Sequence, residues 1–310
     1  MRHLLRIRGL PVGQARAILD EAPRYLDVAD QPVPRTPALL GRTVVLLFRE
    51  PSTRTRSSFQ LAAKRLSAEP LAFASASSSL SKGETFLDTA RTLAAMAPDI
   101  IVTRSRESGI PELLAREIPT ASVVNAGDGI SEHPTQALLD AFTIRRHRGR
   151  VRGLTVAIIG DLLHSRVFRS NALLLTMLGA RVRCAGPPTL MPPGLERLGV
   201  EPRPSVEEAL RGADAVMVLR IQHERMHDSF IPSRREYFHE FGLTEERLRP
   251  TRDAIVLHPG PLNRAVEISS AVADGPRSVI LEQVRNGVAV RMAVLAEIAR
   301  GRPRGRRRRD

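Results

Sequence analysis

The chain has 310 residues, 42% of them apolar, which is material for two hydrophobic cores rather than one. Its single cysteine, Cys184, excludes an intrachain disulfide and a Cys-cluster zinc site, and no apolar run nears the ~20 residues of a membrane span. Net charge is +14, of which the segment 300–310 contributes seven arginines against one aspartate; the remaining excess, about +8, suits anionic small molecules.

The opening residues 1–8 are too charged for a secretory leader, and a soluble cytoplasmic protein is expected. Short, often β-branched apolar runs at 43–48, 99–103, 121–124, 154–159, 182–185, 213–219 and 254–257 alternate with amphipathic stretches. This alternation predicts an α/β fold with parallel sheets covered on both faces. The basic stretch 145–150 follows a helix-like segment, 135–144, and precedes a fresh strand, so it marks an expected boundary between domains 1–147 and 148–283. The last helix, about 278–300, is apolar on most faces through Ile280, Val284, Val288, Met292, Leu295 and Ile298, and is expected to be buried between other elements. The tail 301–310 reads as basic and disordered. It can also touch nucleic acid nonspecifically, but with two tyrosines, no tryptophan and no aromatic interleaving, specific nucleic-acid binding is not expected.

Two polar segments carry chemistry. Ser52-Thr53-Arg54-Thr55-Arg56 lies between the first strand and a helix, where unpaired N–H groups and the positive end of the macrodipole favour a phosphate. Hydroxyls of Ser52, Thr53 and Thr55 and the guanidinium of Arg54 would add donors; the same residues also suit an ordinary Ser/Thr cap beside surface arginines. The second segment, Ser77 to Thr85, holds Lys82. Only two of the 47 basic residues are lysines. A lysine kept in a chain that otherwise uses arginine points to a site needing a compact ammonium charge. Lys64, the other one, reads as a solvated helix residue, and a solvated loop is the alternative for Lys82.

Taken in order, Ser-Thr-Arg-Thr-Arg at 52–56, Ser-Lys-Gly-Glu-Thr at 81–85, His-Pro-Thr-Gln-Ala-Leu at 133–138 and His-Pro-Gly-Pro-Leu-Asn-Arg at 258–264 resemble the transcarbamoylases, and more narrowly their aspartate-using catalytic chains. The resemblance spans about residues 40–300. It implies two domains, each a parallel sheet flanked by helices, with the C-terminal helix (about 284–300) crossing back to the first. It also implies transfer of a carbamoyl group from carbamoyl phosphate to the α-amine of L-aspartate, a step of pyrimidine synthesis, without metal or organic cofactor. Phosphate would sit on Ser52, Thr53, Arg54 and Thr55. Thr55, Arg104 and His133 would polarise the carbonyl, with Gln136 and the carbonyls of Pro259 and Gly260 on the amine groups. Arg166, Arg220 and Gln222 would grip the aspartate carboxylates; each arginine taken alone is equally a surface residue.

The resemblance further implies that Ser78 and Lys82 reach a neighbouring subunit's site, making a homotrimer or higher oligomer, with other pyrimidine-pathway subunits as further partners. Ser79 competes with Ser78 for that register, and Val167 stands where some members carry threonine. His258 is expected to be structural, and Ile158-Ile159-Gly160-Asp161, lacking a following Gly-x-Gly-x-x-Gly, is a weak dinucleotide signal. An ornithine-using relative would carry a cysteine after His258, where Pro259 stands. A noncatalytic assembly or nucleic-acid-binding relative is the alternative from another class; intact Arg54, Lys82, Arg104 and His133 argue against it.

Overall fold

The computed structural model describes residues 1–29, 31–74, 86–222, 231 and 233–301. Ser78, Ser79, Lys82 and the tail beyond Gly301 lie outside these residues. The described chain divides into two compact units, Met1–Thr135 with Gly287–Asp310, and Gln136–Asn286. The divisions fall inside two helices, so neither coincides with a loop.

The first unit begins with helix α1 (Val12–Ala29), then alternates β1 (Thr43–Phe48), α2 (Thr53–Arg65), β2 (Glu69–Ala74), α3 (Phe86–Ala95), β3 (Ile100–Ser105), α4 (Ile110–Glu117) and β4 (Ser122–Asp128). The strands form one parallel sheet in the order β2-β1-β3-β4. Val44, Val45 and Leu46 are fully buried, as parallel strands covered on both faces require. Each such side chain contributes roughly 1.5–3 kcal/mol by leaving water.

The second unit is reached through α5 (Pro134–Arg148) and continues with β5 (Thr155–Ile159), α6 (Arg166–Met177), β6 (Arg181–Ala185), β7 (Val200–Pro202), α7 (Val206–Leu210), β8 (Ala215–Val218), α8 (Arg234–Phe241), α9 (Glu245–Leu248), β9 (Ile255–Leu257) and α10 (Ser270–Ala273). Its sheet is also parallel, ordered β7-β6-β5-β8-β9. The expected α/β class with two sheets is therefore the observed one. The basic residues 145–148 continue α5 to its end, and the chain turns at Gly149, whose φ is +73°.

Helix α11 (Ile280–Arg300) closes the chain. Its C-terminal half belongs to the first unit, where Arg291 donates to Ser58 Oγ at 2.8 Å and lies over the Phe59 ring, and Arg300 pairs with Glu21 of α1. The expected burial of its apolar residues holds for Val288, Met292, Leu295 and Ile298. Val284 is instead 49% exposed, beside an exposed Leu281. The inward side of that turn is taken by Gln283, which is buried because its amide is hydrogen-bonded there, and Val284 is turned outward as a result.

Candidate active site

In each sheet the strand order reverses once. The chain steps from β1 outward to β2 and returns to β3 on the other side; it steps from β5 to β6 and β7 and returns to β8. Ligands of open α/β sheets bind outside the carboxyl ends of strands at such points. The site residues expected from the sequence and described in the structure lie at or just beyond the carboxyl ends of strands, or at the start of the helix that follows.

In the first unit, Phe48 pairs with Arg104, so the chain leaves β1 and β3 side by side. Arg49 N–H donates to the Arg104 carbonyl at 2.8 Å. Beyond β1, Ser52 occupies the N-cap position of α2, yet its side chain makes no capping hydrogen bond. That weighs against the simple-cap reading, because Ser165 at the corresponding position of α6 does accept from Phe168 N–H at 3.0 Å. Thr53 and Arg54 are exposed and Thr55 is buried. Arg104 stands where the β3–β4 register shifts, a bulge that re-aims its side chain. Its Nη1 reaches Thr55 Oγ1 at 3.4 Å and the Ala126 carbonyl at 3.3 Å, and its Nε is 3.5 Å from Glu50 Oε2. Arg106, two residues further on, is exposed.

His133, 3% exposed, immediately precedes α5. The loop leading to it is held by buried polar groups that sequence reasoning missed. Asp128 accepts from Gly109 N–H and the Asn125 amide, both at 2.8 Å, and Glu132 accepts from Ile7 N–H at 2.6 Å. Buried carboxylates that accept backbone N–H groups fix a loop firmly, since breaking them strands a charge.

In the second unit, Gly160 follows β5 with φ +122°, and a Cβ there would lie 2.6 Å from the Leu219 carbonyl. Glycine thus lets the exits of β5 and β8 approach. Asp161, fully buried, ties them together: it accepts from His164 N–H at 3.0 Å and from Gln222 N–H at 3.2 Å. Arg166 opens α6 and is buried, while Arg220 and Gln222 follow β8 half-buried. Beneath them Ile221 packs with Tyr237 and Val266. Burial pushes the Tyr237 hydroxyl well above its ordinary pKa, with Glu267 and Asp161 adding to it.

The 258–261 turn follows β9. His258, 2% exposed, accepts from Gly260 N–H through Nδ1 at 2.8 Å and faces Glu267 Oε1 through Nε2 at 3.3 Å. Since Nδ1 accepts, the proton belongs on Nε2, where it donates to the carboxylate. His258 is therefore a brace for the turn bearing Pro259 and Gly260, consistent with the structural role expected of it. Gln136, on α5, donates through its amide to Asp140 Oδ1 at 2.9 Å.

Comparison with known proteins agrees with this arrangement. Residues 2–146 match the family model of the aspartate/ornithine carbamoyltransferase carbamoyl-P binding domain, and residues 152–298 that of the Asp/Orn binding domain. An aspartate carbamoyltransferase catalytic subunit of Bradyrhizobium diazoefficiens is 57% identical over 303 residues, 97% of this chain and 96% of that protein. The one from Beijerinckia indica is 58% identical over 305 residues, covering 98% and 96%. Aspartate transcarbamoylase from Trypanosoma cruzi, solved with carbamoyl phosphate and aspartate, is 31% identical with a TM-score of 0.86 over 96% of both chains. Ornithine carbamoyltransferase from Pyrococcus furiosus also has a TM-score of 0.86, at 28% identity over 97% of this chain and 98% of that one. The backbone likeness is thus common to both branches, whereas these full-length, more than half-identical relatives fall in one. With both parts of its length matched in turn, this chain belongs to the aspartate/ornithine carbamoyltransferase family.

Proposed function

We propose that the chain transfers the carbamoyl group of carbamoyl phosphate to the α-amine of L-aspartate, releasing N-carbamoyl-L-aspartate and phosphate. The observation that carries this is the identity of 57% across 97% of the chain with an aspartate carbamoyltransferase catalytic subunit. Arginines at 166 and 220 support it over the ornithine reading, since two guanidinium forks suit a dicarboxylate and repel a second amine. Pro259 where ornithine-using members carry cysteine supports it too.

In this reading residues 1–147 with 284–300 bind carbamoyl phosphate and residues 148–283 bind aspartate. Ser52, Thr53, Arg54 and Thr55 hold the phosphate at the start of α2. Thr55, Arg104 and His133 donate to the carbonyl oxygen, stabilising the oxyanion that forms as the amine attacks. Gln136 and the Pro259 carbonyl accept from the carbamoyl NH₂, and Gly260 contributes its carbonyl to the incoming amine. Attack by the amine forms the C–N bond, collapse of the tetrahedral carbon then breaks the C–O bond and expels phosphate with the bridging oxygen, and the amine's proton leaves with that phosphate. No covalent bond to the protein is needed; the rate comes from positioning and charge stabilisation. Purified chain given carbamoyl phosphate should release phosphate in proportion to added aspartate, and no release would sink this assignment.

The finer part of the reading is a cytoplasmic trimer, or a higher oligomer, whose Ser78 and Lys82 complete a neighbour's site. Lys82→Ala and Arg54→Ala proteins should each be inactive, yet regain activity when dissociated and reassociated together, because some mixed interfaces pair an intact Arg54 with an intact Lys82. Reassembly confirmed by sedimentation without recovered activity would mean that the sites are not shared.

A further inference from the structure

Asp140 is fully buried, one helical turn beyond Gln136 on α5. Its Oδ1 accepts from the amide nitrogens of Gln136 at 2.9 Å and Gln283 at 2.8 Å, and its Oδ2 from that of Asn171 at 2.8 Å. Three primary amides from α5, α6 and α11 therefore converge on one carboxylate.

The orientation of each amide follows from this, since a carboxylate only accepts and each amide must turn its NH₂ toward it. For Gln283 the other end agrees, because its Oε1 accepts His258 N–H at 2.8 Å, at the head of the 258–261 turn. For Asn171 the same nitrogen also donates to the Val167 carbonyl at 3.1 Å. Gln283 and Asn171 are thus tied at second positions, and Gln136 is the amide whose orientation depends on Asp140. With its NH₂ held there, the Gln136 carbonyl oxygen is turned away from the carboxylate. That is the polarity needed to accept from a carbamoyl NH₂, which is a donor only; a flipped Gln136 would set NH₂ against NH₂.

We propose that Asp140 is a positioning residue that fixes the amide of Gln136 with its oxygen toward the carbamoyl NH₂, and that joins this contact through Gln283 to the turn bearing Pro259. The inference rests on the reading of Gln136 as a carbamoyl contact. Asp140→Asn keeps size but removes the charge and leaves one acceptor oxygen where three amides draw on two, so the hold on the Gln136 amide is weakened.

The test is a double-mutant cycle read as kcat/KM for carbamoyl phosphate at saturating aspartate. Asp140→Asn alone should lose about tenfold or more, as expected for a hydrogen bond to a charged group. In a Gln136→Ala background the same change should cost no more than about twofold, because the group it orients is gone. An equal loss in both backgrounds would show Asp140 to be merely structural and would overturn the proposal while leaving the Gln136 reading intact. A silent Gln136→Ala would overturn that reading itself, and the proposal with it. Should Asp140→Asn not fold, Gln136→Glu serves instead. It can accept from a carbamoyl NH₂ but cannot donate to Asp140, so it should be no better than Gln136→Ala; wild-type kcat/KM would overturn the proposal.

Discussion

Arg104 Nη1 lies 3.4 Å from Thr55 Oγ1, so the end of β3 and the first turn of α2 meet at a guanidinium and a hydroxyl. Thr55→Val keeps the buried shape and removes the hydroxyl. We expect kcat/KM for carbamoyl phosphate to fall by roughly 1.5–3 kcal/mol, the worth of a hydrogen bond to a charged group, with cooperative melting preserved. Arg54→Ala, at an exposed position, should lose more activity and even less stability. Steady-state kinetics beside thermal melts of the two proteins check both, and near-normal turnover in a folded Arg54→Ala protein would contradict the phosphate assignment.

Gly160→Ala should damage the second sheet before it damages chemistry. The added methyl would meet the Leu219 carbonyl at 2.6 Å, at a φ of +122° that side chains rarely adopt. The strain alone costs about 1–3 kcal/mol, and the displaced Leu219 carries Arg220 with it. A lowered melting midpoint together with a raised KM for aspartate is the expected pair of effects; an unchanged midpoint would contradict the close approach of β5 and β8.

Arg220→Ala should raise the aspartate KM and lower kcat while carbamoyl phosphate binding, measured by calorimetry, stays near wild type. Arg220→Lys should recover little, because a lysine ammonium cannot pair bidentately with a carboxylate. Full recovery by lysine would mean that Arg220 acts only as a diffuse positive charge.

Cys184 is fully buried on β6, and burial pushes its thiol pKa up to about 12, with Glu196 adding to the effect. At pH 7–8 the group is a thiol, and alkylating reagents need the thiolate. Mass spectrometry should find Cys184 unmodified by iodoacetamide in the native protein and fully modified in denaturant. Rapid native labelling would show that the second sheet opens readily.

Seven of the nine strands among the described residues were legible as apolar runs. The two that were not, β2 and β7, are each one edge strand of its sheet and contain Pro70 and Pro202. An outer strand pairs on one side only and tolerates proline, so the rule that disqualifies a central strand hid both. At the proposed site, most of the residues assigned to phosphate and the carbamoyl group came from ordered motifs. Those that hold them, Asp128, Glu132, Asp140 and Asp161, did not. Their role is to sit buried among amides, and in a sequence a buried aspartate looks the same as a solvated one. The one trace at α5 was the four-residue spacing of Gln136 and Asp140, which places both on one helix face.

The most direct measurement offers the purified protein carbamoyl phosphate with aspartate and ornithine together at equal concentration, and separates the products by mass. Carbamoyl aspartate as the dominant product, lost on Arg54→Ala and on Arg220→Ala, is the expected result. Citrulline in its place would contradict the assignment of the second unit to aspartate.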